Sequence, residues 1–136
     1  MTRAIRMALA DAGTGAGEID YVNAHATSTP SGDRVEAHAI AAVFGTGVPV
    51  SSTKSMAGHE CWMAGASSAV YTALMARDGF LAPNINFSRL DDGCPTINVV
   101  AQARPARIRK AAVDSFGFGG TNSVLVMDFQ PLAAAS

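Results

Sequence analysis

The alternation of short apolar runs with helix-like segments constrains the fold of this chain more than any other feature. Apolar runs at residues 18–24, 48–52 and 97–100 are separated by longer segments with helical spacing. Residues 111–115 and 123–129 then follow each other with only a glycine-rich connection between them. Strands that alternate with helices form parallel sheets, and two adjoining strands form an antiparallel pair. The predicted fold is therefore α/β, a mixed and mostly parallel sheet with an antiparallel edge and helices on both faces.

Three helices are expected, over residues 2–12, 34–44 and 58–77. An aspartate directly before a helix can accept hydrogen bonds from its free N–H groups, so Asp33 is predicted to cap the second helix. The inward face of that helix would include Val35. The third segment is predicted to form one uninterrupted helix.

The charge and hydropathy of the chain argue against two kinds of partner. Ten Lys and Arg residues oppose eleven Asp and Glu residues, which gives a formal net charge of -1. Such a balance implies no basic face for nucleic acid. The sequence has no run of about 18 apolar residues, so no membrane span is expected.

The cysteines and histidines argue against a disulfide framework and against a metal site. Cys61 and Cys94 form no CxxC pair, so free thiols and a cytoplasmic location are expected. Cys61 is predicted to be a buried structural residue. The three histidines lack HxxxH or HExxH spacing, so no metal is expected.

The first of three polar clusters occupies residues 23–33. His25 directly follows a predicted buried strand, and the hydroxyl residues Thr27 and Thr29 come shortly after it. An imidazole can donate a hydrogen bond to an oxygen that becomes negative, and hydroxyl groups can hold an amide-bearing ligand. The alternative is a structural histidine followed by hydroxyl residues that form turns.

The second cluster occupies residues 52–60 and contains Lys54 and His59 around a predicted helix start. A cation beside an imidazole disfavours the protonated ring. A neutral ring that donates one N–H suits the stabilisation of an enolate. The alternative is a surface lysine that flanks a helix.

The third cluster occupies residues 114–122 and contains Gly117, Gly119 and Gly120. Closely spaced glycines allow backbone N–H groups to point into a cavity. The spacing is not GxGxxG, so a nucleotide loop is not indicated. The alternative is a glycine-rich hairpin that only links two strands.

Together the three clusters resemble a known family. YVNAHATSTPSGD (21–33), SSTKSMAGH (51–59) and DSFGFGGTN (114–122) resemble, in order and spacing, the three C-terminal motifs of the β-ketoacyl-acyl carrier protein synthases. GFLAPNINF (79–87) resembles the connection that follows the long helix in that family. The similarity extends from residue 3 to about residue 129.

The resemblance implies the C-terminal half of a thiolase-like fold. A ketosynthase C-terminal domain is expected over residues 1–130, followed by a frayed tail over 131–136. The half that carries the nucleophilic cysteine is expected to be absent from this chain, and the isolated chain is expected to be inactive.

The resemblance also implies a reaction, the decarboxylative Claisen condensation of acyl and malonyl thioesters in fatty acid synthesis. Acyl carrier protein and the N-terminal half are the implied partners, with a homodimer when the enzyme is complete. No separate cofactor is implied, because phosphopantetheine arrives on the carrier protein. A non-catalytic or truncated thiolase-like binding module and a polyketide-type ketosynthase fragment remain the alternatives.

Residue roles follow from the matching motif positions. His25 and His59 would hydrogen-bond the malonyl thioester oxygen, and Lys54 would orient and tune His59. Asp33 and Glu36 would neutralise Lys54.

The resemblance assigns the binding residues in the same way. Thr27 and Thr29 would bind the phosphopantetheine arm. The Phe118 N–H would contribute to an oxyanion hole, and two phenylalanine rings would line the acyl entrance on a flexible loop. That loop comprises Phe116, Gly117, Phe118 and Gly119.

Four departures from the family pattern leave specificity open, and one of them is Ala26, which stands where glycine is common. Ser68 replaces a glutamate that is often found after the second histidine, and Asp114 stands where asparagine is common. The segment 60–63 (ECWM) is bulkier than the usual small residues. This last difference suggests a distinct acyl pocket.

Overall fold

The computed structural model of the protein describes residues 1–130, so the tail predicted over 131–136 lies outside the described residues. The α-helices are α1 (Thr2–Asp11), α2 (Pro30–Phe44), α3 (Lys54–Ala57) and α4 (Ala64–Asp78). Short 3-10 turns are found at Ala16–Glu18, Cys61–Met63 and Phe118–Gly120. The strands are β1 (Tyr21–Asn23), β2 (Pro49–Ser51), β3 (Phe80–Leu81), β4 (Asn98–Val99), β5 (Arg104–Pro105), β6 (Lys110–Phe116) and β7 (Asn122–Asp128).

Five strands form one sheet in the order β4-β2-β1-β6-β7. β1 pairs in parallel with both β2 and β6, and β2 pairs in parallel with β4. Only β7 runs antiparallel, against β6 at the edge. The prediction of a mostly parallel sheet with an antiparallel edge is therefore confirmed. β3 and β5 form a separate two-stranded antiparallel sheet that was not predicted.

Side chains alternate across β1 and so divide the core between the two faces of the sheet. Val22 packs with Ile5 of α1 and Ile40 of α2 in one buried cluster. Tyr21 packs with Met75 of α4 in the other. Burial of one such side chain contributes about 1.5–3 kcal/mol. Helices cover both faces, as predicted, and no helix among residues 1–130 is both long and apolar enough to cross a membrane.

The second helix begins four residues before the predicted position. Thr29 is its N-cap residue, and Pro30 is its first residue. Proline is favoured there because its fixed φ suits a helix and its missing N–H is not needed. Asp33 therefore lies inside the first turn, and its predicted role as the cap is wrong. Val35 is 54% exposed, so its predicted inward orientation is also wrong.

The long helix predicted over residues 58–77 is interrupted. Gly58 has φ 80° and ends α3 rather than opening a helix. Cys61 also lies in the left-handed region, with φ 49°, and α4 begins only at Ala64. A left-handed residue cannot continue a right-handed helix, so the segment between α3 and α4 changes direction.

Candidate active site

The polar clusters meet at one edge of the main sheet. β1, β2 and β6 are parallel, so their carboxyl ends lie side by side. His25 follows β1, Lys54 follows β2, and Phe116 ends β6. Ligand sites in open α/β sheets favour this edge.

Two of the predicted residues bring their imidazole rings together. The ring centroids of His25 and His59 are 5.6 Å apart, and the rings are perpendicular. The His25 ring also contacts the Phe116 ring, with centroids 6.1 Å apart. Both histidines can therefore approach one small ligand from two directions.

The hydrogen bond to His59 defines which ring nitrogen can donate. The backbone N–H of Cys61 donates to Nδ1 of His59 over 3.0 Å. An accepting ring nitrogen carries no proton, so the neutral His59 ring has its proton on Nε2. That nitrogen is then the donor available to a ligand.

The environment of His25 keeps its ring neutral. Burial, followed by the positive charge of Lys54 and the nearby His59, lowers the pKa of His25 to about 4. Its Nδ1 is buried and has no hydrogen-bond partner among the described residues. A neutral imidazole can still donate one N–H to an oxygen that becomes negative.

Glu36 anchors the backbone that carries His25. Its carboxylate accepts hydrogen bonds from the N–H groups of His25, at 2.7 Å, and Ala26, at 2.8 Å. Glu36 is 2% exposed. Burial raises its pKa to about 7, against the opposing effect of the two backbone hydrogen bonds. This carboxylate therefore fixes a loop in which Ala26 has a positive φ of 25°.

Lys54 lies half-buried at the start of α3. Burial lowers the pKa of Lys54, while the negative charges of Glu36 and Glu60 raise it. No ion pair within 4.0 Å joins Lys54 to Asp33 or Glu36 in the part of the chain that the structure describes. Glu36 thus acts on the charge of Lys54 over a longer range, and neither of the two predicted carboxylates forms a direct ion pair with it.

The two predicted threonines lie side by side, and Thr27 lines a cavity. The hydroxyl oxygens of Thr27 and Thr29 are 3.2 Å apart. The cavity has a volume of about 570 Å³, and Thr27, Lys54 and His59 contribute to its wall. Asp33 also lines it, and burial raises the pKa of that carboxyl against the opposing backbone N–H of Thr29.

The glycine-rich loop joins β6 to β7. Gly119 has φ 77° and lies in the left-handed region, which glycine adopts without strain. The N–H of Gly117 donates to the carbonyl of Thr121 over 2.8 Å and so closes the loop. The two phenylalanines differ, because Phe116 is buried against His25 whereas the ring of Phe118 is fully exposed.

Several features of the site were not predicted from the sequence. Cys61 is exposed, so its predicted burial is wrong, and its backbone N–H is part of the site. Asp114 is fully buried on β6, and neither of its carboxyl oxygens has a hydrogen-bond partner among residues 1–130. Burial raises the pKa of Asp114 well above its usual value, and the charge of Glu36 adds to this. Its position in the sequence had stood out only as a departure from asparagine.

Ser68, which stands where the family often has glutamate, forms a hydrogen bond through its backbone. The carbonyl oxygen of Ser68 accepts a hydrogen bond of 3.2 Å from the side-chain amide of Asn23. The same amide donates to the hydroxyl of Thr72 over 3.0 Å. Ser68 thus contributes a backbone group to the buried network behind His25.

Comparisons with known proteins agree with this geometry. A family model described as "Beta-ketoacyl synthase, C-terminal domain" matches residues 1–88. The chain is 46% identical over 110 residues to 3-oxoacyl-acyl-carrier-protein synthase 1 of Escherichia coli strain K12, which covers 80% of this chain and 27% of that relative. It is 44% identical over 129 residues to synthase 2 of Coxiella burnetii, which covers 93% and 31%. The chain spans less than a third of the length of these curated relatives.

Solved structures show the same fold. The ishigamide ketosynthase/chain length factor has a TM-score of 0.90 and 37% identity, over 96% of this chain and 32% of that one. A β-ketoacyl synthase from Burkholderia phymatum has a TM-score of 0.88 and 37% identity, over 93% and 31%. The fold is thus that of the thiolase-like ketosynthases. The chain belongs to the β-ketoacyl synthase family, and the resemblance seen in its three motifs is confirmed.

Proposed function

We propose that this chain supplies the C-terminal part of a 3-oxoacyl-acyl carrier protein synthase. The proposed reaction condenses an acyl thioester with a malonyl thioester in fatty acid synthesis. The observation that carries the proposal is the pair of imidazole rings of His25 and His59, 5.6 Å apart at the carboxyl edge of the sheet.

The chemistry of decarboxylation explains why two neutral imidazoles are needed. The bond between the malonyl α-carbon and its carboxylate breaks, carbon dioxide leaves, and the electron pair moves onto the thioester oxygen. Two N–H donors at that oxygen stabilise the enolate, and one such donor is worth about 3 kcal/mol in comparable oxyanion sites. Neutral rings, unlike protonated ones, do not quench the carbanion.

The second step forms the new bond. The enolate carbon attacks the carbonyl carbon of the acyl thioester, and the resulting tetrahedral oxyanion collapses as the thiolate leaves. The backbone N–H of Phe118 is the proposed donor to that oxyanion. The left-handed conformation of Gly119 supports this role, because it shapes the loop without a side chain that would block approach.

The remaining residues are proposed to hold the substrate and tune the rings. Thr27, which lines the cavity of about 570 Å³, and the neighbouring Thr29 would bind the amide groups of a phosphopantetheine arm. The charge of Lys54 would help to keep His25 neutral, in line with its effect on the pKa of that ring.

Acyl carrier protein is the proposed partner. One similar solved structure, with 35% identity and a TM-score of 0.87, is described as a type II polyketide acyl-carrier protein in complex with its ketosynthase. A homodimer, a requirement for an N-terminal half and a cytoplasmic location belong to the same proposal. A relative in Arabidopsis thaliana is described as chloroplastic, so location varies within the family.

A polyketide-type ketosynthase is the second candidate. Two similar solved structures pair a ketosynthase with a chain length factor. Sequence identity favours the fatty-acid reaction, with 46% for the Escherichia coli synthase against 37% for the ishigamide ketosynthase.

Titration with malonyl-pantetheine tests the proposed function. NMR of the imidazole groups is expected to show shifts for His25 and His59, and none for His38, which lies on α2 with its Nε2 bonded to the Gly93 carbonyl. In the enzyme assembled with the proposed N-terminal half, release of carbon dioxide is expected to fall about 10²-fold in His25→Ala or His59→Ala, and to stay unchanged in His38→Ala. Equal responses of all three histidines, or none, would contradict the proposal.

A further inference from the structure

A short basic segment lies outside the candidate active site. Four of the ten Lys and Arg residues of the chain fall within residues 104–110, namely Arg104, Arg107, Arg109 and Lys110, and that segment contains no Asp or Glu. The formal net charge of the whole chain is only -1. The positive charge of this segment is therefore local, too small for nucleic acid but sufficient for a small anion.

A second cavity, with a volume of about 400 Å³, lies beside this segment. Three arginines contribute to its wall, Arg77 from the last turn of α4 and Arg107 and Arg109 from the basic segment. The apolar residues of the wall are Ala73, Ala76, Ile108 and Phe129. No Asp or Glu of residues 1–130 lines this cavity, which we call the arginine cavity.

The arginine cavity is remote from the imidazole pair. Arg109 directly precedes β6 and Phe129 directly follows β7, so the cavity lies at the amino end of β6. His25 and His59 lie at the opposite, carboxyl edge of the sheet. The seven residues of β6 separate the two edges by about 20 Å. An inference about the arginine cavity is therefore independent of the proposed function.

The charges around the arginine cavity are not balanced. Arg77 pairs with Asp78 over 2.7 Å, and Arg109 pairs with Asp20 over 3.3 Å. Arg107 forms no ion pair within 4.0 Å in the described part of the chain. Three guanidinium groups thus have two carboxylate partners, neither of which lines the cavity. Because exposed ion pairs are weak, the two paired arginines can also bond an incoming anion.

The backbone that carries two of these arginines is held firmly. The N–H of Arg109 donates to the Asp20 carboxylate over 2.8 Å, and its carbonyl accepts a hydrogen bond of 2.7 Å from the N–H of Phe129. Ile108, between the two arginines, is 4% exposed and belongs to the core cluster of Tyr21. A wall with a fixed backbone loses little conformational freedom when a ligand binds.

We propose that the arginine cavity binds an organic phosphate, a small molecule that joins a phosphate group to an apolar or aromatic portion. Guanidinium groups stay charged and bond phosphate oxygens in pairs, and the apolar part of the wall suits the rest of such a ligand. The volume lies within the range of about 300–1,000 Å³ that is usual for small-molecule sites. A concave site of this size favours a small molecule over a protein segment.

Calorimetry with three matched probes tests the proposal on the chain. Phenyl phosphate carries both features of the ligand, inorganic phosphate lacks the apolar part, and phenol lacks the anion. Phenyl phosphate is expected to bind about tenfold more tightly than inorganic phosphate, and phenol is expected not to bind. Equal affinity for the two phosphates, or stronger binding of a poly-glutamate peptide than of phenyl phosphate, would contradict the assignment to an organic phosphate.

Two exposed arginines of the same segment provide a matched pair of variants. Arg107→Ala is expected to weaken phenyl phosphate binding about tenfold. Arg104→Ala should leave it unchanged, because Arg104 lies on β5 and does not line the cavity. Both side chains are exposed, so both variants should unfold at the same urea concentration as the wild type. Equal weakening by the two variants would show that only general positive charge is sensed, and the proposal would be wrong.

Two further readouts locate the probe. The imidazole NMR signals of His25 and His59 should not move as phenyl phosphate is added, because they lie at the other edge of the sheet. A shift of these signals at the affinity that calorimetry measures would place the probe at the imidazole pair and refute the proposal. The titration is also expected to give the same affinity after assembly with the proposed N-terminal half. Loss of binding there would mean that the cavity is covered in the complete protein, and the proposal would fail.

Discussion

The two histidines of the site are held in contrasting ways. His25 follows a buried strand, and the buried carboxylate of Glu36 accepts hydrogen bonds from its backbone N–H and that of the next residue. His59 is exposed in a segment between two short helical turns, and a single backbone N–H bonds its ring. One imidazole is thus partly buried on an anchored loop, and the other lies on the surface.

The difference shows how one site can be both rigid and adaptable. The His25 side has a buried carboxylate that fixes the loop, so its geometry is set before a ligand arrives. The His59 side carries the exposed Trp62 and Met63, where contacts are available to a ligand or a partner. Rigidly held hydrogen-bond donors suit the stabilisation of a developing charge. An exposed apolar surface suits contact with apolar groups of differing shape.

The largest expected effect comes from removing the carboxylate on the rigid side. Glu36→Ala leaves two part-buried N–H groups without their partner and a cavity where the buried side chain was, so we expect a loss of about 3 kcal/mol in the free energy of unfolding. Glu36→Gln retains one acceptor and should cost about half as much. Denaturant unfolding measures the loss, and hydrogen exchange at the His25 and Ala26 amides shows whether the loop has opened.

Glu60→Ala is the matched control for that comparison. Glu60 lies on the exposed side, and its side chain makes no hydrogen bond with the described residues, so its removal should change stability by less than about 0.5 kcal/mol. If Glu36→Ala and Glu60→Ala had the same small effect, the contrast between the two sides would be wrong.

A second change probes the buried charge behind the rigid side. Asp114 has a folded-state pKa well above its usual 3.8, chiefly because it is buried. A carboxyl with a raised folded-state pKa contributes its full stability below about pH 4 and loses it as the pH rises through the raised value. Asp114→Asn stays uncharged, so it should gain about 1 kcal/mol relative to the wild type at neutral pH and nothing near pH 4.

Unfolding in urea at both pH values measures this gain. Asp11→Asn, at the exposed end of α1, serves as the control for replacing a carboxyl by an amide on the surface. A gain for Asp114→Asn that does not depend on pH would mean that the carboxyl is protonated throughout, or that the amide finds a better partner.

Much of the fold could be predicted because it depends on periodicity. The apolar runs that became β1, β2 and β6 and the adjoining edge strand β7 are visible in the sequence, and parallel pairing follows from the helices between them. β3 and β5 could not be predicted in the same way, because a strand of two residues is too short to show alternating apolar and polar positions.

The site could be predicted only as a set of residue types. His25, Lys54 and His59 stood out because polar residues follow apolar runs, and the parallel strands bring them to one edge. The anchoring by Glu36 was not predicted. Its loop has a positive φ at Ala26, which alanine rarely adopts, and the only signal was that glycine is common at this position in the resembling family. The break before α4 was missed because Cys61 also has a positive φ, which a residue of this type rarely adopts.

The smallest expected effect concerns the charge that connects the two sides. Burial is the first cause of the low pKa of His25, about 4, and the positive charge of Lys54 is the second. Lys54→Met keeps an apolar stem of similar length and removes that charge, so the pKa of His25 should rise part of the way toward 6.5 while burial still holds it below that value. NMR titration of the His25 ring measures the rise. The ring signals of His38, which is exposed on α2, serve as the reference and should be the same in both proteins. A return of His25 all the way to 6.5 would mean that the Lys54 charge, rather than burial, keeps this imidazole neutral, and the rigid side of the site would then depend on the segment that carries His59.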